Sequence, residues 1–146
     1  LAVATTEAPT TEAPTTEAPV TEAPTSDLGQ QIANFACQFV GNPYVWGGTS
    51  LTNGADCSGF VQSVYKNFGY SLPRTCTPQS NAGTAVSLAA LAPGDLVFYD
   101  HGTGSCEHVG IYIGNGQIVH ASSSRTGIKI SNVNYSTPFK ACRIVN

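Results

Sequence analysis

No apolar run in the chain approaches the roughly 20 residues that a membrane-spanning helix requires, so no contact with a membrane is expected. Bases are few: six Lys and Arg stand against nine Asp and Glu. Residues 1–27 carry Glu7, Glu12, Glu17, Glu22 and Asp27 with no base at all, whereas residues 28–146 carry four acids and six bases. So mild a balance lacks the dense basic patch of a nucleic-acid binder. No signal peptide is visible at the start. There is no Cys-x-x-Cys pair, and Cys106-Glu107-His108 fits no standard zinc spacing, so neither a metal nor another cofactor is expected. Histidine occurs only at positions 101, 108 and 120.

What the chain does contain falls into two parts. Residues 5–24 read Thr-Thr-Glu-Ala-Pro three times and then Val-Thr-Glu-Ala-Pro. A proline at every fifth position forbids a continuous helix, and nothing there can build a core. Residues 1–26 are therefore read as an extended linker, implying an upstream targeting domain to which the folded part is tethered. Residues 27–146 are long enough for one domain, expected to be a monomer. The five cysteines are an odd number, so two disulfides would leave one thiol free. Such usage fits an oxidising setting, either secreted or at the cell envelope.

The organising stretch is Asn53-Gly54-Ala55-Asp56-Cys57-Ser58-Gly59-Phe60-Val61. Turn-forming residues run up to Asp56, and then Phe60, Val61, Val64, Tyr65 and Phe68 recur at helical spacing. Asp56 suits an N-cap, which puts Cys57 in the first turn, where unpaired amides and the helix dipole favour a thiolate. An earlier helix is expected from Asp27, with Gln30 completing a capping box, to Gly41. A short one is expected at Thr77-Pro78, with Thr77 as its cap, and a further turn at Ser87 to Leu91. From Leu96 onward the pattern becomes β, with strands at 96–99, 108–113, 117–121, 127–131 and 140–145. Helices first and strands afterwards indicate α+β, with the helices on one side of a mostly antiparallel sheet of about five strands.

His108 opens one strand and His120 ends the next, across Gly114-Asn115-Gly116. A two-residue loop would set the two histidines on opposite faces; a three-residue loop pairs Ile113 with Gln117 and sets Gly110 opposite His120. The longer loop is expected, with Gly116 in the left-handed position. His108 and His120 then share a face as diagonal neighbours. Cys57 as nucleophile, His108 as base and His120 as the group orienting that base make a triad of the papain type.

The order of motifs adds to this. Pro43-Tyr44-Val45-Trp46-Gly47-Gly48, Asp56-Cys57-Ser58-Gly59-Phe60-Val61, Leu72-Pro73-Arg74, Pro93-Gly94-Asp95-Leu96-Val97-Phe98, His108–Gly114 and Ile118-Val119-His120-Ala121 follow one another over residues 28–145. This series resembles the NlpC/P60 family of cell-wall cysteine peptidases. The resemblance implies a reduced papain-like fold and cleavage of peptidoglycan stem peptides between the γ-carboxyl of D-glutamate and the next diamino acid. It implies a catalytic set of Cys57, His108 and His120, with the Tyr44 hydroxyl assisting the oxyanion. It also implies that Asp56 and Ser58 help to hold the substrate.

The remaining residues are read individually. Arg74 either pairs with Asp95 or Asp100 or contacts a substrate carboxylate. His101, in a glycine-rich loop, is read as solvated, and Trp46 as a core aromatic. Four cysteines lie outside the motifs and allow three pairings, of which topology favours Cys37–Cys142 and Cys76–Cys106. The rival readings are a zinc site, a catalytically silent module that binds wall peptides, and an amidase, acyltransferase or transpeptidase using the same thiol.

Overall fold

Apolar residues at helical spacing form α1 (Asp27–Cys37), which buries Ile32, Ala33 and Ala36, and α2 (Cys57–Lys66), which buries Phe60, Val61, Val64 and Tyr65. The computed structural model describes residues 27–145, so the linker expected over residues 1–26 lies outside the described residues. Asp27 is the first residue of α1, and Gln30 bonds forward to Asn34 Oδ1 at 3.0 Å rather than closing a capping box. A third helix, α3 (Cys76–Ser80), begins two residues earlier than expected, with Thr75 rather than Thr77 as its cap. Pro78 is tolerated inside it because the first-turn amides have no partner within the helix in any case. Ser87 to Leu91 forms no helix, only a turn closed by the Ala90 amide on the Ser87 carbonyl at 2.9 Å.

A two-stranded ribbon, β1 (Thr49–Ser50) and β2 (Gly54–Ala55), precedes α2. The main sheet contains β3 (Thr84–Ala85), β4 (Leu96–Tyr99), β5 (His108–Gly114), β6 (Gln117–Ser123), β7 (Gly127–Asn132) and β8 (Pro138–Arg143). Their order is β3-β8-β4-β5-β6-β7, with all neighbours antiparallel. The strand beyond the expected five is β3, whose two exposed residues are too few to show an alternation. Leu96, Phe98, Val109, Ile111, Val119, Ala121 and Ile128 pack with α1 and α2 on one face. Leu91, Val97, Tyr99, Tyr112, Ile118 and Ala141 form a smaller core on the other. The architecture is α+β, with α1 and α2 on one side of the sheet.

The β5–β6 hairpin reaches the expected register by another route. Ile111 pairs with Val119 and Tyr112 with Ile118, the register that sets Gly110 across from His120. The tip, however, pairs Gly114 with Gln117 across a two-residue turn, and the register shifts between Tyr112 and Gly114. Asn115 (φ 56°) and Gly116 (φ 73°) both adopt the left-handed conformation such a tight turn demands. The bulge at Ile113 absorbs the odd residue.

Cys76 and Cys106 form a disulfide, tying the start of α3 to the segment that enters β5. The expected Cys37–Cys142 bridge does not exist: Cys37 is a half-buried free thiol and Cys142 a buried one. The reason is sheet order. The chain leaving α1 hydrogen-bonds to β7 through the Gly41 amide and the Ile128 carbonyl, whereas β8 lies at the opposite end beside β3. Cys142 instead directs its thiol to the Gln79 carbonyl at 3.5 Å.

The first turn of α2 lies directly on the preceding loop: a methyl group at Gly59 would overlap the Gly48 carbonyl oxygen and approach Asp56 Oδ1 to 2.8 Å. Gly59→Ala should therefore lower unfolding stability by about 1–3 kcal/mol, read as a reduced urea midpoint. An unchanged midpoint would show that this contact is slack.

Candidate active site

Asp56 caps α2 from an extended conformation, its Oδ1 accepting from the Gly59 amide at 2.8 Å. Its Oδ2 accepts from the Gly47 amide at 2.9 Å, and Arg74 donates to both oxygens at 3.1 and 3.0 Å. Arg74 also reaches Ser58 Oγ at 3.0 Å. The partner of Arg74 is thus Asp56, not Asp95 or Asp100; Asp95 is engaged by Arg143 through two bonds of 2.8 Å. Burial disfavours the Asp56 charge, but the Arg74 guanidinium and the two amides outweigh it and hold the carboxyl below its usual range.

Cys57 follows as the first residue of α2, half-buried, and its sulfur accepts a hydrogen bond from the Val109 amide. Val109 is the neighbour of His108 in β5, so the helix start and the strand start meet there. The expectation of an easily ionised thiol is not met. Burial pushes the thiol pKa up, the adjacent Asp56 carboxylate adds to this, and the amides of Val109, Ser58 and Cys57 do not compensate.

His108 and His120 are both buried, and their Nε2 and Nδ1 atoms lie 2.6 Å apart. The rings meet edge to face, with centroids 4.9 Å apart. The far nitrogen of His120, Nε2, is 2.8 Å from Ser131 Oγ on β7. Burial lowers the pKa of both rings; for His108 the His120 and His101 rings add to this, and for His120 Lys129 and His101 do. Both imidazoles are therefore neutral at neutral pH.

Tyr44 is half-buried, and its phenol is held protonated by burial, with the Cys57 and Asp56 charges adding to this. Trp46, expected in the core, is instead 86% exposed. His101 is exposed yet not merely solvated: its ring stacks on His108 at 5.8 Å and 23°, and its Nε2 lies 3.3 Å from the Tyr135 hydroxyl. Tyr135 itself packs on His120 at 5.2 Å. Its phenol is pushed up to about 12, first by burial and then by the nearness of Cys57. Ser131 and Tyr135 have no place in the sequence argument. Only the period-two pleat of 127–131 offered a signal, since it sets Ser131 on the face of His120.

The chain is similar to several known proteins. A γ-D-glutamyl-L-lysine dipeptidyl-peptidase from Bacillus cereus is 42% identical over 105 residues, covering 70% of this chain and 31% of the relative. A γ-DL-glutamyl hydrolase from Bacillus subtilis is 47% identical over 111 residues, covering 75% of this chain and 26% of the relative. The chain thus spans about a third or less of the length of these curated relatives. Among solved structures, the NlpC/p60 domain of the peptidoglycan hydrolase SagA superposes with a TM-score of 0.72 at 36% identity, covering 80% of this chain and 98% of that one. The NlpC/P60 family model matches residues 41–145, which hold the capped cysteine, the histidine hairpin and the sheet between them; the chain belongs to that family.

Proposed function

We propose that this domain is a cysteine endopeptidase that cleaves peptidoglycan stem peptides at the bond from the γ-carboxyl of D-glutamate to the following diamino acid, acting outside the cytoplasm. The carrying observation is the 2.6 Å contact between His108 Nε2 and His120 Nδ1, beside a cysteine at a helix start. It leaves Nδ1 of His108 for the thiol. The names of the two curated relatives, both γ-glutamyl hydrolases, support the choice of bond.

With both groups neutral at rest, the thiol proton passes to His108 Nδ1 as sulfur attacks the γ-carbonyl carbon, rather than before. His108 then carries charge, and its Nε2–H is held by the unprotonated Nδ1 of His120. The Cys57 amide and the Tyr44 hydroxyl face the developing oxyanion. The C–N bond breaks as His108 returns its proton to the leaving amine, giving a thioester. Water, deprotonated by His108, hydrolyses that ester and restores the thiol. Asp56, Ser58 and Arg74 form the substrate-binding side of the site. Arg74, whose side chain is 35% exposed, is available to a substrate carboxylate while it also secures Asp56.

Mass spectrometry of digested muropeptides tests both the bond and the nucleophile. Wild type should release products ending in γ-D-glutamate, and Cys57→Ala should lose at least about a thousandfold in rate, as nucleophile removal does in comparable triads. Cleavage at another bond would overturn the substrate assignment, and turnover surviving in Cys57→Ala would overturn the mechanism. Tyr44→Phe should lower kcat by about a hundredfold, the loss of one oxyanion donor.

The protonation states make a separate prediction. Alkylation follows the thiolate fraction, and a thiol with raised pKa gains thiolate only in alkaline solution. Iodoacetamide labelling of Cys57 should therefore still be accelerating at about pH 9, with no plateau in the acid range. A plateau already complete at neutral pH would indicate a preformed thiolate–imidazolium pair.

A further inference from the structure

The His120 ring is held at both nitrogens, and the mechanism above uses only one of them. An imidazole bonded at a single nitrogen flips readily about its Cβ–Cγ bond, because exchanging Nδ1 with Cδ2 leaves its shape unchanged. A flipped His120 would present a C–H, not an acceptor, to His108. What opposes the flip is the contact of 2.8 Å between Nε2 and Ser131 Oγ. Its place follows from the pleat: His120 pairs with Lys129 across β6 and β7, so Ser131 is the diagonal neighbour on the same face. The ring is 0% exposed, so a lost bond at Nε2 leaves a buried polar atom without its partner.

Proton order gives this contact a direction. For His108 Nδ1 to accept from Cys57, its Nε2 must carry hydrogen, His120 Nδ1 must be bare, and His120 Nε2 must carry hydrogen. The chain therefore ends in a donor, and that donor needs an acceptor. We infer that Ser131 is a positioning residue of this site: its hydroxyl accepts from His120 Nε2 and so keeps Nδ1 of His120 aimed at His108. The inference rests on the peptidase reading, which sets the direction of proton transfer. The other titratable groups around the ring are His108 on β5, Lys129 on β7, and His101 and Tyr135 from the loops.

The test compares Ser131→Ala with Ser131→Thr, which keeps the hydroxyl, in two measurements. One is hydrolysis of a γ-D-glutamyl-L-lysine peptide from about pH 5 to 9; the other is the ring 15N shifts of His120. Ser131→Ala should lose about tenfold in kcat with KM within about twofold, comparable to the loss of an outer partner at other functional imidazoles. Its acid limb should move to lower pH, because the imidazolium pair loses an acceptor. The His120 shifts should pass from hydrogen on Nε2 alone to a mixture of tautomers. Ser131→Thr should restore kcat to within about threefold and return the wild-type shifts. Unchanged His120 shifts with full kcat in Ser131→Ala would overturn the inference, as would equal losses in both variants with unaltered shifts. Failure of the peptidase reading is distinct: it appears as turnover in Cys57→Ala while the effect of Ser131→Ala on the His120 shifts persists.

Discussion

Three segments of the chain converge on the Asp56 carboxylate. It takes the Gly59 amide from its own helix, the Gly47 amide from the aromatic–glycine turn, and the Arg74 guanidinium from the segment before α3. A half-buried carboxylate is held as an ion by such donors. The same charge thus starts α2, anchors the turn that carries Tyr44, and draws in the wall that carries Arg74. Cys57 is the next residue, so the nucleophile inherits its position from this junction. The sheet adds the other half by bringing the Val109 amide against the sulfur.

At Cys57 two opposing effects meet. A helix start offers amides and a favourable dipole, worth a fraction of a kcal/mol to about 2 kcal/mol. Burial and the neighbouring Asp56 charge act the other way, and they win. The thiol stays protonated, and activation waits for the base. A sulfur kept as thiol is a slow target for oxidants and for disulfide exchange. The histidines obey the same logic: burial keeps both imidazoles neutral at rest, so that His108 is free to take up the thiol proton.

Much of this was legible in the sequence because it is local. The Asp56 cap, the helical face from Phe60 and the strand alternation from Leu96 each depend on neighbours within a few residues. The register placing His108 and His120 together was also readable, although the turn that produces it was not, since a bulge leaves no mark in composition. Long-range pairings were harder. For Arg74 the sequence reading offers Asp95 and Asp100 and does not consider Asp56, which only the folded path of 72–76 brings within reach. Cys37 and Cys142 seemed joinable until the strand order set them apart. Protonation was misjudged for a similar reason: a helix start can be read in a sequence, but the depth of its burial cannot.

The bulge at Ile113 has an evolutionary corollary. The bulged residue has no partner of its own, so its loss would leave the pairs from Tyr112 and Ile118 down to Gly110 and His120 as they are. The ladder between that bulge and His108 has no such slack. One residue gained or lost there would turn His108 to the other side of the sheet, because side chains alternate along a strand. Descendants of this domain should therefore vary in length by single residues at the tip and keep the stretch from His108 to Tyr112 constant.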